Sequence, residues 1–84
     1  MKEAIYTVQQ EEGLHARPAS EFCKTAGKFS SKITIEKNGV AKNAKSMLHI
    51  LSLGVGKGET IRIAADGADE AEAMDALLDV LKNV

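Results

Sequence analysis

The spacing of hydrophobic positions changes several times along the chain, and each change marks the edge of a predicted element. Residues 3–8, Glu-Ala-Ile-Tyr-Thr-Val, alternate and are rich in strand formers, which predicts a first strand. Gln9 to Gly13 is a polar, turn-like stretch. From Ala16 the spacing turns helical: Ala19, Phe22, Cys23 and Ala26 recur on one face, and Gly27 is a natural stop. Ile33 and Ile35 then alternate with Thr34 and Glu36, and Asn38-Gly39 supplies a hairpin signal into Val40 and Ala41. Ser46 opens a short helical segment, Met47 to Ser52, closed by Leu53-Gly54. Gly56 and Gly58 mark a loop, Thr60 to Ala64 alternate as a strand, and Asp66 to Asp69 form a polar turn. The clearest helix runs from Glu70 to Leu81, with Ala71, Met74, Leu77, Leu78 and Leu81 on one face. The order βαββαβα predicts an α+β fold, a two-layer open-faced sandwich. Its four-stranded antiparallel sheet carries three helices on one face.

Composition bounds what such a fold does. With 84 residues there is room for one domain, 1–84, and one core, so nearly every apolar residue must contribute to it. A net charge of −1 argues against a nucleic-acid binder that relies on a broad basic field. Cys23 is the sole cysteine, so neither an internal disulfide nor a cysteine-based zinc site is available. The N-terminal stretch MKEAIYTV lacks the apolar run of a signal peptide or membrane anchor. A soluble cytoplasmic monomer without cofactor or metal, and without membrane insertion or direct nucleic-acid contact, is the expectation.

The chemistry concentrates in Gly13-Leu14-His15-Ala16-Arg17-Pro18-Ala19-Ser20. This run places His15 at or beside the N-cap of the first helix. There the unpaired backbone N–H groups of Ala16 and its neighbours, and the positive end of the helix dipole, favour an anion. Pro18 fits the first turn, where a missing N–H breaks no helical bond. Arg17 adds a permanent cation with several donors suited to phosphoryl oxygens. A neutral imidazole is a competent nucleophile near neutral pH, and phosphoryl transfer depends mostly on positioning and charge stabilisation. Taken alone, a histidine at a helix start is more often a surface or capping residue.

The run GLHARPAS resembles the active-site motif of the HPr family, the histidine-containing phosphocarriers of the phosphoenolpyruvate-dependent sugar phosphotransferase system. The similarity continues through KTAGKF, NAKSMLHILSLGVGKGETI and ADGADEAEAMDAL, and so spans essentially the whole chain. The resemblance implies that His15 is phosphorylated on Nδ1, that Arg17 assists transfer, and that Ala16, Arg17 and Pro18 at the helix start stabilise the phosphoryl group. It implies enzyme I as donor and sugar-specific enzyme IIA domains as acceptors, with no turnover of the chain's own. Ser20, Lys24, Gly27, Met47, Leu48 and Leu51 match the family's partner-docking patch, with Met47 and Leu48 expected at the surface.

Ser46 carries two compatible readings. Before a short apolar helix it is an N-cap. By resemblance it is also a regulatory site for HPr kinase/phosphorylase, whose product acts with a catabolite control repressor. A phosphate there would meet the same unpaired N–H groups and leave the helix intact. His49 departs from the family, in which a glycine or another basic residue is usual, and it lies close enough to Ser46 to affect that docking. Two other functions stay open: a purely regulatory HPr-like adaptor, disfavoured by the presence of His15, and a carrier in a nitrogen-related phosphorelay.

The remaining features are weaker. Gly54-Val55-Gly56-Lys57-Gly58 fails the Walker pattern, because Leu51 occupies the first glycine position and Gly58 the Ser/Thr position. Asp66, Asp69, Glu70 and Glu72 are expected to complement the N-terminus of the last helix. Cys23 is expected as a small core residue.

Overall fold

Isoleucines at alternate positions form the middle of the sheet. In the computed structural model, which describes residues 1–83, β2 (Lys32–Lys37) and β4 (Thr60–Asp66) pair antiparallel at the centre. Their register sets Ile33 opposite Ala65 and Ile35 opposite Ile63, all four buried on the helix-covered face. β1 (Lys2–Thr7) adds antiparallel to β4, and β3 (Val40–Asn43) adds antiparallel to β2. The strand order is β1-β4-β2-β3. The β2–β3 hairpin turns on Asn38 at φ 51° and Gly39 at φ 83°. Two consecutive positive φ values give the turn a twist that matches paired strands, and Asn-Gly tolerates them best.

The helices are α1 (Ala16–Ala26), α2 (Met47–Ser52) and α3 (Glu70–Asn83). Together with the sheet they form the βαββαβα open-faced sandwich expected from the chain's patterning. Pro18, Ala19, Phe22 and Ala26 are buried from α1, and Ala73, Met74, Leu77 and Leu81 from α3. These helices pack on each other as well as on the sheet. Ile50 anchors the short α2. The uncovered face is polar at its centre, where Arg62 pairs with Glu36 at 2.9 Å and Glu3 at 3.4 Å.

Several details differ from the sequence expectation. Strand β1 ends one residue early, yet Val8 just beyond it is buried in the core, and its N–H and C=O still bond Glu59 and Gly58. Strand β4 and helix α3 each run two residues further than their periodicity indicates. Ala71 is exposed and Ala73 is buried in its place, because α3 turns its apolar stripe toward α1 as well as the sheet. Gly27 caps α1 in right-handed geometry, at φ −66°, without using a glycine's extra freedom. Cys23 is only half-buried, and its Sγ donates to the Lys45 carbonyl at 3.2 Å.

The acidic cluster also divides. Glu70 and Glu72 occupy the first turn of α3, and Asp66 ends β4. The Asp69 carboxylate turns away from the helix and accepts the backbone N–H groups of Ser30 at 2.8 Å and Ser31 at 3.0 Å. Both serine hydroxyls add to it, which ties the loop before β2 to the start of α3.

Candidate functional site

One internal hydrogen bond and two to distant parts of the chain hold the segment before α1 in place. Leu14 N–H bonds the Val55 carbonyl at 3.0 Å, Gly13 N–H bonds the Gln10 carbonyl at 3.0 Å, and the Gln10 side-chain amide donates to the Leu81 carbonyl at 2.6 Å. Gly13 sits at φ 73°, and a Cβ there would lie 2.2 Å from the Val55 carbonyl oxygen. Only glycine fits that combination of left-handed backbone and close approach. With Gly13 fixed, the next two residues deliver His15 to the helix start.

His15 is the N-cap of α1, in extended geometry, and its side chain makes no capping bond. The first intrahelical bond runs from Ala19 N–H to the His15 carbonyl at 3.0 Å. Ala16, Arg17 and Pro18 therefore fill the first turn, where N–H groups have no helical acceptor and a proline loses nothing. No acidic side chain occupies that turn, so the helix's positive end is not neutralised from within it. Arg17 is exposed and Pro18 buried.

The imidazole is 46% exposed and stands between two oxygen atoms. Nδ1 lies 3.2 Å from the Gly13 carbonyl oxygen, and Nε2 lies 3.8 Å from a carboxylate oxygen of Glu12. His15, Arg17 and Pro18 line an open cleft of about 390 Å³ together with Gln10, Glu11, Glu12 and Asn83. Arg17 and Asn83 also border a neighbouring cleft with Glu21, Asp79 and Val80. Of the two cleft glutamates, Glu11 is drawn to Lys57 at 2.9 Å, while Glu12 approaches His15.

Local sequence reasoning finds His15, Ala16, Arg17 and Pro18 and misses Gln10, Glu12 and Asn83. Glu12 had a signal in its nearness to His15. Asn83 had none, since only the packing of α3 on α1 brings the far end of the chain to this cleft.

The second cluster lies on α2 and the adjoining face of α1. Ser46 caps α2, its Oγ accepting the His49 N–H at 3.4 Å. Leu48 is 80% exposed and Leu51 38%, while Met47 is half-buried against expectation. A six-residue helix presents only two turns, and Met47 in its first turn leans toward the body of the protein as Leu48 turns outward. On α1, Ser20, Lys24 and Gly27 follow one helix face, with Ser20 half-buried and the other two exposed. His49 is exposed. α1 and α2 pack side by side, so these residues lie on adjoining helices.

Residues 2–83 match the family model described as the PTS HPr component phosphorylation site. The chain belongs to the HPr family. Solved HPr structures agree over nearly the full length. HPr-C-His from Thermoanaerobacter tengcongensis is 47% identical, with a TM-score of 0.95, covering 99% of this chain and 93% of that one. HPr from Bacillus anthracis strain Ames is 40% identical, with a TM-score of 0.89 and 95% of each chain covered. Crh of Bacillus subtilis, a catabolite-repression protein seen as a dimer with a swapped domain, is 37% identical with a TM-score of 0.78. That match covers 93% of this chain and 90% of Crh. HPr itself is a phosphocarrier of the phosphotransferase system, not an enzyme in its own right. Among the described residues, no helix is long and apolar enough to cross a membrane.

Proposed function

We propose that His15 receives a phosphoryl group from phosphorylated enzyme I and passes it to sugar-specific enzyme IIA domains. The observation that carries this reading is His15 at the N-cap of α1, with Arg17 in the same open cleft. Attack by Nδ1 forms the N–P bond as the donor's bond to phosphorus breaks and its electron pair returns to the donor. In this structure Nδ1 faces the Gly13 carbonyl, so the ring must turn outward before it reacts. The new phosphoryl oxygens then meet the N–H groups of Ala16 and Arg17 and the Arg17 guanidinium. Pro18 keeps the first turn rigid. Passing the group on reverses the same step, and the partners supply the remaining chemistry.

Ser20, Lys24, Gly27, Met47, Leu48 and Leu51 form the docking surface in this reading. An apolar patch as exposed as Leu48 and Leu51, rimmed by polar groups, suits brief protein contacts. Ser46 is its regulatory site, phosphorylated by HPr kinase/phosphorylase and then read by a catabolite control repressor. The likeness to Crh favours this second role beside the first. The protein works in the cytoplasm as a monomeric, one-domain carrier.

Incubation with phosphoenolpyruvate and enzyme I tests the carrier role. One phosphoryl group should appear, labile to acid and stable to base, and His15→Ala should abolish it. Label that survives this substitution would sink the assignment. For Ser46, the kinase and ATP should add an acid-stable phosphate that Ser46→Ala removes.

A further inference from the structure

The environment of the imidazole raises a problem that the carrier role does not solve. A neutral imidazole has one N–H, and its other nitrogen bears a lone pair. Both ring nitrogens of His15 face oxygen atoms without a proton to give: the Gly13 carbonyl beside Nδ1 and the Glu12 carboxylate beside Nε2. The neutral ring satisfies one of them and presents a lone pair to the other. If the proton sits on Nδ1, it is held by Gly13 and the reactive lone pair is masked. If it sits on Nε2, Nδ1 is free but repelled by the Gly13 oxygen, which drives the ring outward toward the helix start.

We infer that Glu12 is a positioning residue that keeps the proton on Nε2 and so presents Nδ1 as the nucleophile. The inference rests on the carrier reading of His15. Three observations support it. Glu12 is the carboxylate directed at Nε2, because Glu11 in the same cleft is engaged by Lys57 at 2.9 Å. The Glu12 side chain is 75% exposed, so it is free to follow the ring as it turns and close the 3.8 Å gap to hydrogen-bond length. The charge also runs in the useful direction. As the Nδ1 lone pair forms the bond to phosphorus, positive charge develops on the ring, and a carboxylate at Nε2–H stabilises it, the part an aspartate takes in a catalytic triad. The donor recovers the electron pair of its broken bond to phosphorus. The proton on Nε2 stays between the ring and Glu12. Arg17, lining the same cleft, offsets the charge of Glu12 for the incoming phosphoryl group.

Nitrogen-15 shifts of the His15 ring, recorded at mildly alkaline pH, report which nitrogen holds the proton without any phosphoryl transfer. The native protein should show mainly the Nε2–H form. Glu12→Ala should move the population toward Nδ1–H, and Glu12→Asp should restore the native form. Glu12→Gln, which keeps an acceptor oxygen but no charge, should fall between them. In phosphorylation by enzyme I, Glu12→Ala should lower kcat about fivefold with little change in KM, the size expected of a water-screened charge contact at this range. An unchanged tautomer ratio in Glu12→Ala overturns the proposal, as does a loss confined to KM. If the native protein takes up no phosphoryl group on His15, the carrier reading fails, and the nitrogen shifts still decide whether Glu12 sets the tautomer.

Discussion

Asp69 shows how much one side chain can determine. Its carboxylate collects donors from Ser30 and Ser31, and these hold its pKa down at about 2, from an ordinary 3.8. The Ser31 hydroxyl has the largest effect, followed by the Ser30 N–H. The native state therefore binds fewer protons than the unfolded chain between those values, and stability rises with pH across that window. The contribution is complete above the ordinary carboxylate value and disappears as pH falls to about 2. Asp69→Asn should lower the denaturant midpoint at neutral pH and flatten its dependence on pH in the acid range. A variant with the native acid profile would show that another carboxylate is responsible.

At the scale of elements, α2 is the least self-sufficient. Six residues are too few to hold a helix in water, so its cap and its single buried anchor, Ile50, matter more than propensity. The Ser46 cap bond is long at 3.4 Å, which puts Ser46→Ala at the lower end of the usual capping cost, about 0.5–1 kcal/mol. Ser46→Asp, which keeps a capping oxygen and adds charge, should restore most of that in urea titrations. The β2–β3 hairpin contrasts with α2, because its register is fixed by the Asn38-Gly39 turn itself.

The whole molecule has one main cluster of buried side chains, built from all three helices, the central strands and the segments between them. Phe22 is its largest fully buried member. A chain of this size has a net stability of roughly 4–12 kcal/mol, and Phe22→Ala should remove about 3–5 kcal/mol of it. Thermal unfolding should show that variant folded only marginally, if at all, at room temperature.

How much was legible in the sequence follows from the range of each interaction. Element order, the Asn38-Gly39 turn, the Ser46 cap and the place of His15, Arg17 and Pro18 at a helix start are local, set by neighbours within one turn or one strand. Those could be read directly from the chain. The strand order β1-β4-β2-β3, the rotation of α3 that buries Ala73 and exposes Ala71, and the pairing of Asp69 with Ser30 and Ser31 were not. Each depends on which distant surfaces meet, and a short-range pattern carries no information about that. The same division runs through the candidate site. The sequence placed the imidazole at the positive end of a helix. Only the tertiary structure decided that its two nitrogens would face Gly13 and Glu12 and that Asn83 would border the same cleft, because these depend on how the loop folds back and how α3 packs.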